Sequence, residues 1–358
     1  MRHAFAALVA TALCLSPLVA PAQGPTTAAV EPTALECQST PRPLNEERFV
    51  RLGGIEQWIT IKGRSCANPV VLFLHGGPGN TMSPHGDAIY GHWQESFTLV
   101  QWDQRSAGKT FGRNPGSAEQ VLTVEQMAQD GIELATYLTR YLGTDKVILV
   151  GGSWSSILGV HMALARPDLL HAYIGVGQIV EYHENEAAMY RKLIGLARTA
   201  GDEKSIAALE AVGPPPWTNP RNFGIVRRVT RAYEAKTTTP APESWWTPAA
   251  QYTTPQTLAD YAGGEDHSYL QFVGYNGDGM FSRVDLPKLG TRFAIPVFLL
   301  QGREDLVTTA DVSKRYFDTI QAPRKDYVLL ERTGHDPNQA VVDATYRILT
   351  KQVAAFIR

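Results

Sequence analysis

The chain has 358 residues, 44% hydrophobic and 19% charged, enough apolar material for a sizeable core and the wrong balance for global disorder. Its 33 Lys and Arg against 35 Asp and Glu give a net charge of −2, with no basic stripe of the kind that binds nucleic acid. No uninterrupted apolar run reaches the roughly 18–20 residues of a spanning helix, which excludes an integral membrane fold built on helices.

The N-terminus reads as a targeting segment. Arg2 precedes the uncharged run Ala4–Leu15, followed by Pro17 and the small-residue site Ala20-Pro21-Ala22. That is the pattern of a secretory signal peptide over residues 1–22, and export to the periplasm or the medium is expected. Cys14 leaves with it; a lipid anchor there is disfavoured because Leu13, not a small residue, precedes it. Cys37 and Cys66 remain as an even pair in an oxidising compartment, and a bridge between them is expected to be worth on the order of 3–4 kcal/mol. Two isolated sulfurs without clustered histidines do not make a zinc site.

Residues 23–43, rich in Pro, Thr and Ala without periodicity, read as a flexible leader. Glu47–Leu52 and Ile55–Ile61 around Gly53-Gly54 predict a β-hairpin. Val70–Leu74 and Phe97–Trp102 predict strands buried on both faces. Helical spacing of Val124, Met127, Ala128, Ile132, Ala135 and Leu138 predicts a helix to Leu142, opened by a Thr123/Gln126 capping box. Then come a strand Val147–Val150, a helix Ile157–Ala165 and a strand Leu170–Val176. The alternation stops near residue 178. Up to about 287 the chain reads as helices (Glu184–Ala200 and Lys204–Val212) and a segment rich in Pro and Trp, a length suited to a cap. Strand and helix resume with Val297–Leu300, Ala310–Ile320, Tyr327–Leu330 and a last helix from about Ala340 to Ile357. The expected architecture is a mostly parallel sheet covered on both faces, made of residues 44–177 and 288–358, with a helical cap insert over 178–287.

Chemistry concentrates at the strand ends. Val150-Gly151-Gly152-Ser153-Trp154-Ser155 lies between a strand and a helix, close to the G-x-S-x-G turn that projects a serine above a sheet, with Ser155 in place of the last glycine. Gly302-Arg303-Glu304-Asp305 and Thr333-Gly334-His335 follow two later strands on the same edge. The order Ser153, Asp305, His335 is that of an α/β-hydrolase triad of nucleophile, orienting acid and base. His75-Gly76-Gly77-Pro78-Gly79 also follows a strand, where backbone N–H groups of Gly76 and Gly77, with that of Trp154, suit an oxyanion site. No G-x-G-x-x-G or G-K-[ST] accompanies it, which disfavours a phosphate cradle.

Together HGGPG at 75–79, WDQRSAG at 102–108, GGSWSS at 151–156, GRED at 302–305 and GH at 334–335 resemble the proline iminopeptidase family of α/β-hydrolases. The resemblance runs from about residue 45 to the C-terminus. It implies a serine exopeptidase releasing an N-terminal residue, often proline, beneath a helical cap. Ser153, Asp305 and His335 are then the triad and Gly76, Gly77 and Trp154 the oxyanion site. Asp103, Gln104 and Arg105 match the family's DQR stretch and are expected to brace loops through an ion-pair network.

Two features depart from the pattern. Ser155-Ser156 stands where the family usually has Gly-Ser or Gly-Gly, and Leu306 after Asp305 supplies no acid to hold a substrate's free amine. Glu181, Glu184 and Glu186, which open the insert, are the nearest candidates for that task, although a Glu at a helix N-terminus ordinarily serves the dipole. The alternatives are an esterase, lactonase or amidase acting on small apolar substrates with the same triad, and a non-catalytic binding protein. Tyr182, Trp217, Trp245, Trp246, Tyr275 and Phe281 are available to line an ester pocket or to build the cap's own core. No cofactor or metal is expected, since no ligand cluster such as H-E-x-x-H is present. The expected partner is a small molecule or short peptide.

Overall fold

The computed structural model describes residues 41–357; the expected signal peptide, most of the expected leader and Cys37 lie outside the described residues. Eight strands form one sheet in the order β1-β2-β4-β3-β5-β6-β7-β8. They are β1 (Leu44–Leu52), β2 (Ile55–Gly63), β3 (Val70–Leu74), β4 (Thr98–Asp103), β5 (Val147–Gly152), β6 (Leu170–Val176), β7 (Val297–Gly302) and β8 (Lys325–Leu330). β1 and β2 pair antiparallel around Gly53 and Gly54, both at positive φ, with Leu52 opposite Ile55. This is the conformation the tight hairpin needs. β2 runs antiparallel to β4, and every pairing from β4 to β8 is parallel. β3 and β4 are buried along their whole length, which is why they read as unbroken apolar runs rather than alternating ones.

The helices are α1 (Gly86–Tyr90), α2 (Gly108–Arg113), α3 (Val124–Leu142), α4 (Trp154–Ala165), α5 (Tyr182–Thr199), α6 (Glu203–Val212), α7 (Pro220–Glu234), α8 (Pro255–Val273), α9 (Leu286–Leu289), α10 (Ala310–Thr319), α11 (Gln339–Arg347) and α12 (Ala354–Ile357). The Thr123 hydroxyl accepts from Gln126 N at the start of α3, and Gly143 ends it in the left-handed region, as the capping residues predict. The terminal helix is not continuous: a π-turn at Ile348–Val353 separates α11 from α12. α4 starts three residues earlier than its apolar period suggests, directly after Ser153.

Residues between β6 and β7 contribute no strand to the sheet; they form α5 to α9 and short 3₁₀ turns. The two ends of this insert are pinned together. Glu181 and Asp285 form an antiparallel bridge, with Tyr182 N donating to Val284 O at 3.0 Å and Leu286 N to Val180 O at 2.9 Å. The insert has a core of its own around Leu193, Leu209, Trp217, Val226 and Tyr233. Of the aromatics considered for a pocket, Trp217 belongs to that core, Trp245 packs in the cluster with Phe73 and Trp93, Tyr182 and Phe281 lie in the largest cluster, and Trp246 and Tyr275 are exposed.

Behind the site, Arg105 and Asp130 form a buried pair, Nε to Oδ2 at 2.8 Å and Nη2 to Oδ1 at 3.0 Å, and Arg105 also donates to Gly53 O at 2.8 Å. Gln57 donates to the same carboxylate. Thus α3, the loop after β4 and the β1–β2 hairpin are joined at one ion pair. Asp130→Ala leaves the Arg105 charge buried and unpaired, so urea unfolding should show a loss of about 3–5 kcal/mol. A loss below about 1 kcal/mol would show that the pair is not what joins these elements.

Candidate active site

Ser153 sits between β5 and α4 with φ +53° and ψ −123°. This region is disfavoured for any residue with a Cβ and persists only where the surroundings hold it. Here Ser153 N donates to Val176 O at 2.9 Å, and Ser153 O accepts from Ser156 N at 2.9 Å and the Ser156 hydroxyl at 2.6 Å. Ser156 Oγ in turn accepts from Ile179 N at 3.0 Å. Ser155, the departure from G-x-S-x-G, fits because its hydroxyl donates to Leu74 O at 2.6 Å and accepts from Gly152 N at 2.9 Å. It therefore ties the turn to the end of β3 as well as being small enough for it.

His335 follows β8 and meets the serine: the Ser153 hydroxyl donates to Nε2 at 2.9 Å, and Nδ1 donates to Asp305 Oδ2 at 3.0 Å. Asp305 follows β7 and is almost fully buried. Its Oδ1 accepts from Val307 N and Thr308 N, both at 2.8 Å, and its Oδ2 from the Thr308 hydroxyl at 2.6 Å and Gln301 Nε2 at 3.0 Å. Burial alone would raise this carboxyl, but His335 and the Thr308 donors carry it below the ordinary carboxylate value. Burial alone would lower the His335 ring, and the facing Asp305 carboxylate raises it above the ordinary imidazole value. The arrangement can deprotonate a hydroxyl and stabilise the imidazolium that results.

The HGGPG loop lies beside this group. Gly76 abuts the turn, where a Cβ would stand 3.3 Å from Gly152 O and 3.7 Å from Ser153 Cβ. Gly79, at φ +91°, lies under α8, where a Cβ would come within 2.7 Å of Glu265 Cα. The Trp154 N–H is the first of α4, one of the donors a helix leaves free at its N-terminus.

The three glutamates at the start of the insert are placed differently from the expectation. The Glu181 carboxylate caps α5, accepting from His183 N and Glu184 N, and Glu184 pairs with Arg315 at the surface. Glu186 is buried beside Tyr182, and burial, aided by the Glu181 charge, pushes its carboxyl up to about 8. The acid that reaches the triad is Glu234, the last residue of α7. It is 5% exposed; Oε1 accepts from Leu306 N at 2.8 Å and Oε2 from His335 N at 3.3 Å. Burial first, then the Asp305 charge, raise its carboxyl. Glu234 was missed in the sequence although a signal existed: with Val226, Val229, Thr230 and Tyr233 it lies on the buried stripe of α7, an acid at a core position.

The DQR stretch acts as a brace. Asp103 accepts from Ser83, Lys109 N and the Tyr261 hydroxyl of α8, and burial pushes it up to about 6. Among the described residues no group of three or more His, Cys, Asp or Glu is placed to hold a metal ion, and no helix is long and apolar enough to cross a membrane.

The α/β-hydrolase family profile matches residues 71–347. The chain belongs to this family. Among curated relatives it is similar to a "Probable aminopeptidase YbaC" of Bacillus subtilis, 27% identical over 300 residues, 80% of this chain and 89% of that one. It is also similar to a "Probable proline iminopeptidase" of Streptomyces coelicolor, 24% identical over 287 residues, 76% of this chain and 85% of that one. Among solved structures, VinJ superposes with TM-score 0.63 at 18% identity, covering 87% of this chain and 99% of that chain. A proline iminopeptidase of Mycobacterium smegmatis gives TM-score 0.56 at 17% identity, covering 87% and 97%. These structures share the fold; with the curated relatives they make this α/β-hydrolase a hydrolase resembling the proline iminopeptidases.

A base of this kind works only when neutral. The kcat/KM of the hydrolase should therefore rise with pH through a single ionisation whose midpoint lies above the ordinary imidazole value of 6.5. Asp305→Asn should lower kcat by about 10⁴-fold and move the midpoint down, because the charge that raises His335 is gone. An unmoved midpoint would separate Asp305 from the base.

Proposed function

We propose that this hydrolase is an exported serine aminopeptidase that releases an N-terminal residue, proline or another apolar one, from short peptides. Ser153 Oγ attacks the scissile carbonyl carbon while His335 Nε2 takes its proton. The N–H groups of Gly77 and Trp154 receive the oxyanion, with Gly76 allowing the close approach. The imidazolium then protonates the leaving amine as the peptide bond breaks, leaving an acyl-enzyme ester on Ser153. Water, giving its proton to His335, hydrolyses that ester and frees the amino acid.

The observation that carries the reading is Glu234. A substrate's free amine enters beneath the insert as an ammonium, and a buried ammonium without a carboxylate is strongly disfavoured. Glu234 is a buried acid of the insert in contact with both loops that carry Asp305 and His335. Glu181 and Glu184 are engaged elsewhere, the first as the cap of α5 and the second with Arg315. The esterase alternative uses the same Ser153, His335 and Asp305; Trp154, Phe272, Phe281 and Tyr182 form a buried aromatic series, centroids 5.3, 4.7 and 5.0 Å apart, that belongs to the hydrophobic core.

Ser153→Ala should reduce kcat by roughly 10⁶-fold with the fold intact. Glu234→Gln should lower the ratio of aminoacyl arylamide to aryl ester kcat/KM by about 10²-fold, since only the arylamide brings a charge to pair. N-acetylation of the arylamide should have the same effect on the wild type. Equal turnover of free and N-acetylated substrates would leave a general esterase or amidase.

Export over residues 1–22 and a Cys37–Cys66 bridge belong to the same proposal. Cys66 is buried beside the start of β1, its sulfur accepting from Arg42 N at 3.4 Å. Protein secreted through its own leader should lose residues 1–22 and gain about two hydrogens in intact mass on reduction. Two alkylatable thiols before reduction would refute the bridge.

A further inference from the structure

We propose that Gln104 is a positioning residue for the oxyanion site, tying together the two segments that carry its donors. The inference rests on the Ser153 mechanism above and adds to it a residue that touches neither substrate nor triad. Gln104 follows β4 and is fully buried. Its side chain faces both ways: Nε2 donates to His75 O at 3.0 Å, and Oε1 accepts from Trp154 Nε1 at 3.1 Å. Its backbone N–H donates to His75 Nε2 at 3.1 Å. One residue therefore holds the HGGPG loop at its first residue and the start of α4 at its first residue.

The tie reaches the donors by two short routes. Because His75 Nε2 accepts from Gln104, the ring hydrogen is on Nδ1, which donates to Gly76 O at 2.9 Å. Asn80 N donates to the same carbonyl at 3.2 Å. The Gly76–Gly77 peptide is trans, so fixing its carbonyl on that side turns the Gly77 N–H to the opposite side. Burial pushes the His75 ring down to about 4, which keeps it in the one-hydrogen form this chain of bonds needs at neutral pH. On the other route, anchoring the Trp154 indole fixes the residue whose own N–H is the second donor. Electrostatic stabilisation of an oxyanion depends on donors already in place before charge develops. Gln104 sets the spacing of those two.

The test compares a transition-state mimic with substrate. An aryl boronic acid forms a tetrahedral adduct on a serine hydroxyl and needs the oxyanion donors, whereas ground-state binding does not. Gln104→Met, similar in volume, should lower kcat by about 10²-fold, the scale of losing one such donor, and weaken boronic acid affinity by a similar factor. KM should change less than about threefold. Trp154→Phe cuts the same tie from the other side with Gln104 left in place, and decides the matter if Gln104→Met does not fold. Where both fold, the double variant should lose little more than the worse single one. Boronic acid affinity equal to wild type, a loss confined to KM, or fully additive losses would overturn the inference while leaving Ser153 as nucleophile. Failure of the wild-type protein to bind the boronic acid would overturn both.

Discussion

A serine at φ +53° and ψ −123° does not keep that shape unaided, and the organisation of this protein follows from keeping it. The turn is gripped from three directions: by β6 through Val176 O, by β3 through the Ser155 hydroxyl on Leu74 O, and by the first residues of the insert through Ser156 and Ile179 N. Each grip joins Ser153 to a different segment, namely β6, the strand that leads into the HGGPG loop, and the start of the insert. The strain is of order 1–3 kcal/mol for such a residue, and it is balanced by bonds made in a buried setting where leaving a donor or acceptor unmade costs about as much. What results is a half-buried hydroxyl 2.9 Å from His335 Nε2.

The insert is bound to the core at the places where chemistry occurs. α8 lies over Gly79 and sends Tyr261 to Asp103, while α7 ends with Glu234 on the Asp305 and His335 loops. A change in how these helices sit would therefore be felt by the oxyanion loop and by the base together. Glu234 orders both loops through their backbone N–H groups, accepting from Leu306 N and His335 N.

The places of Ser153 and Asp305 were legible in the sequence because they follow β5 and β7, parallel strands buried on both faces and the easiest elements to read, whereas His335 follows the half-buried edge strand β8. The glycine loop was legible for the same reason. Glu234 was harder to read: its place on the apolar stripe of α7 is a signal, but its contacts lie with Leu306 and His335, 72 and 101 residues away, and in the chain it follows Arg227, Arg228 and Arg231 and passes for a solvated charge. Glu181 was overread: its place before α5 signals a cap, and that is how it is used. Ser155 could be read only as a small residue, since its acceptor, Leu74 O, belongs to another strand. α1 and α2, of five and six residues, are too short to show a helical period.

If Ser153 is a nucleophile activated by His335, a fluorophosphonate will label it. The expected product carries one phosphonyl group, attached as Ser153 Oγ displaces fluoride, mapped by peptide mass to the fragment containing Ser153 and accompanied by complete loss of hydrolysis. An unlabelled protein, or one that carries the label on another serine and keeps its activity, would contradict it.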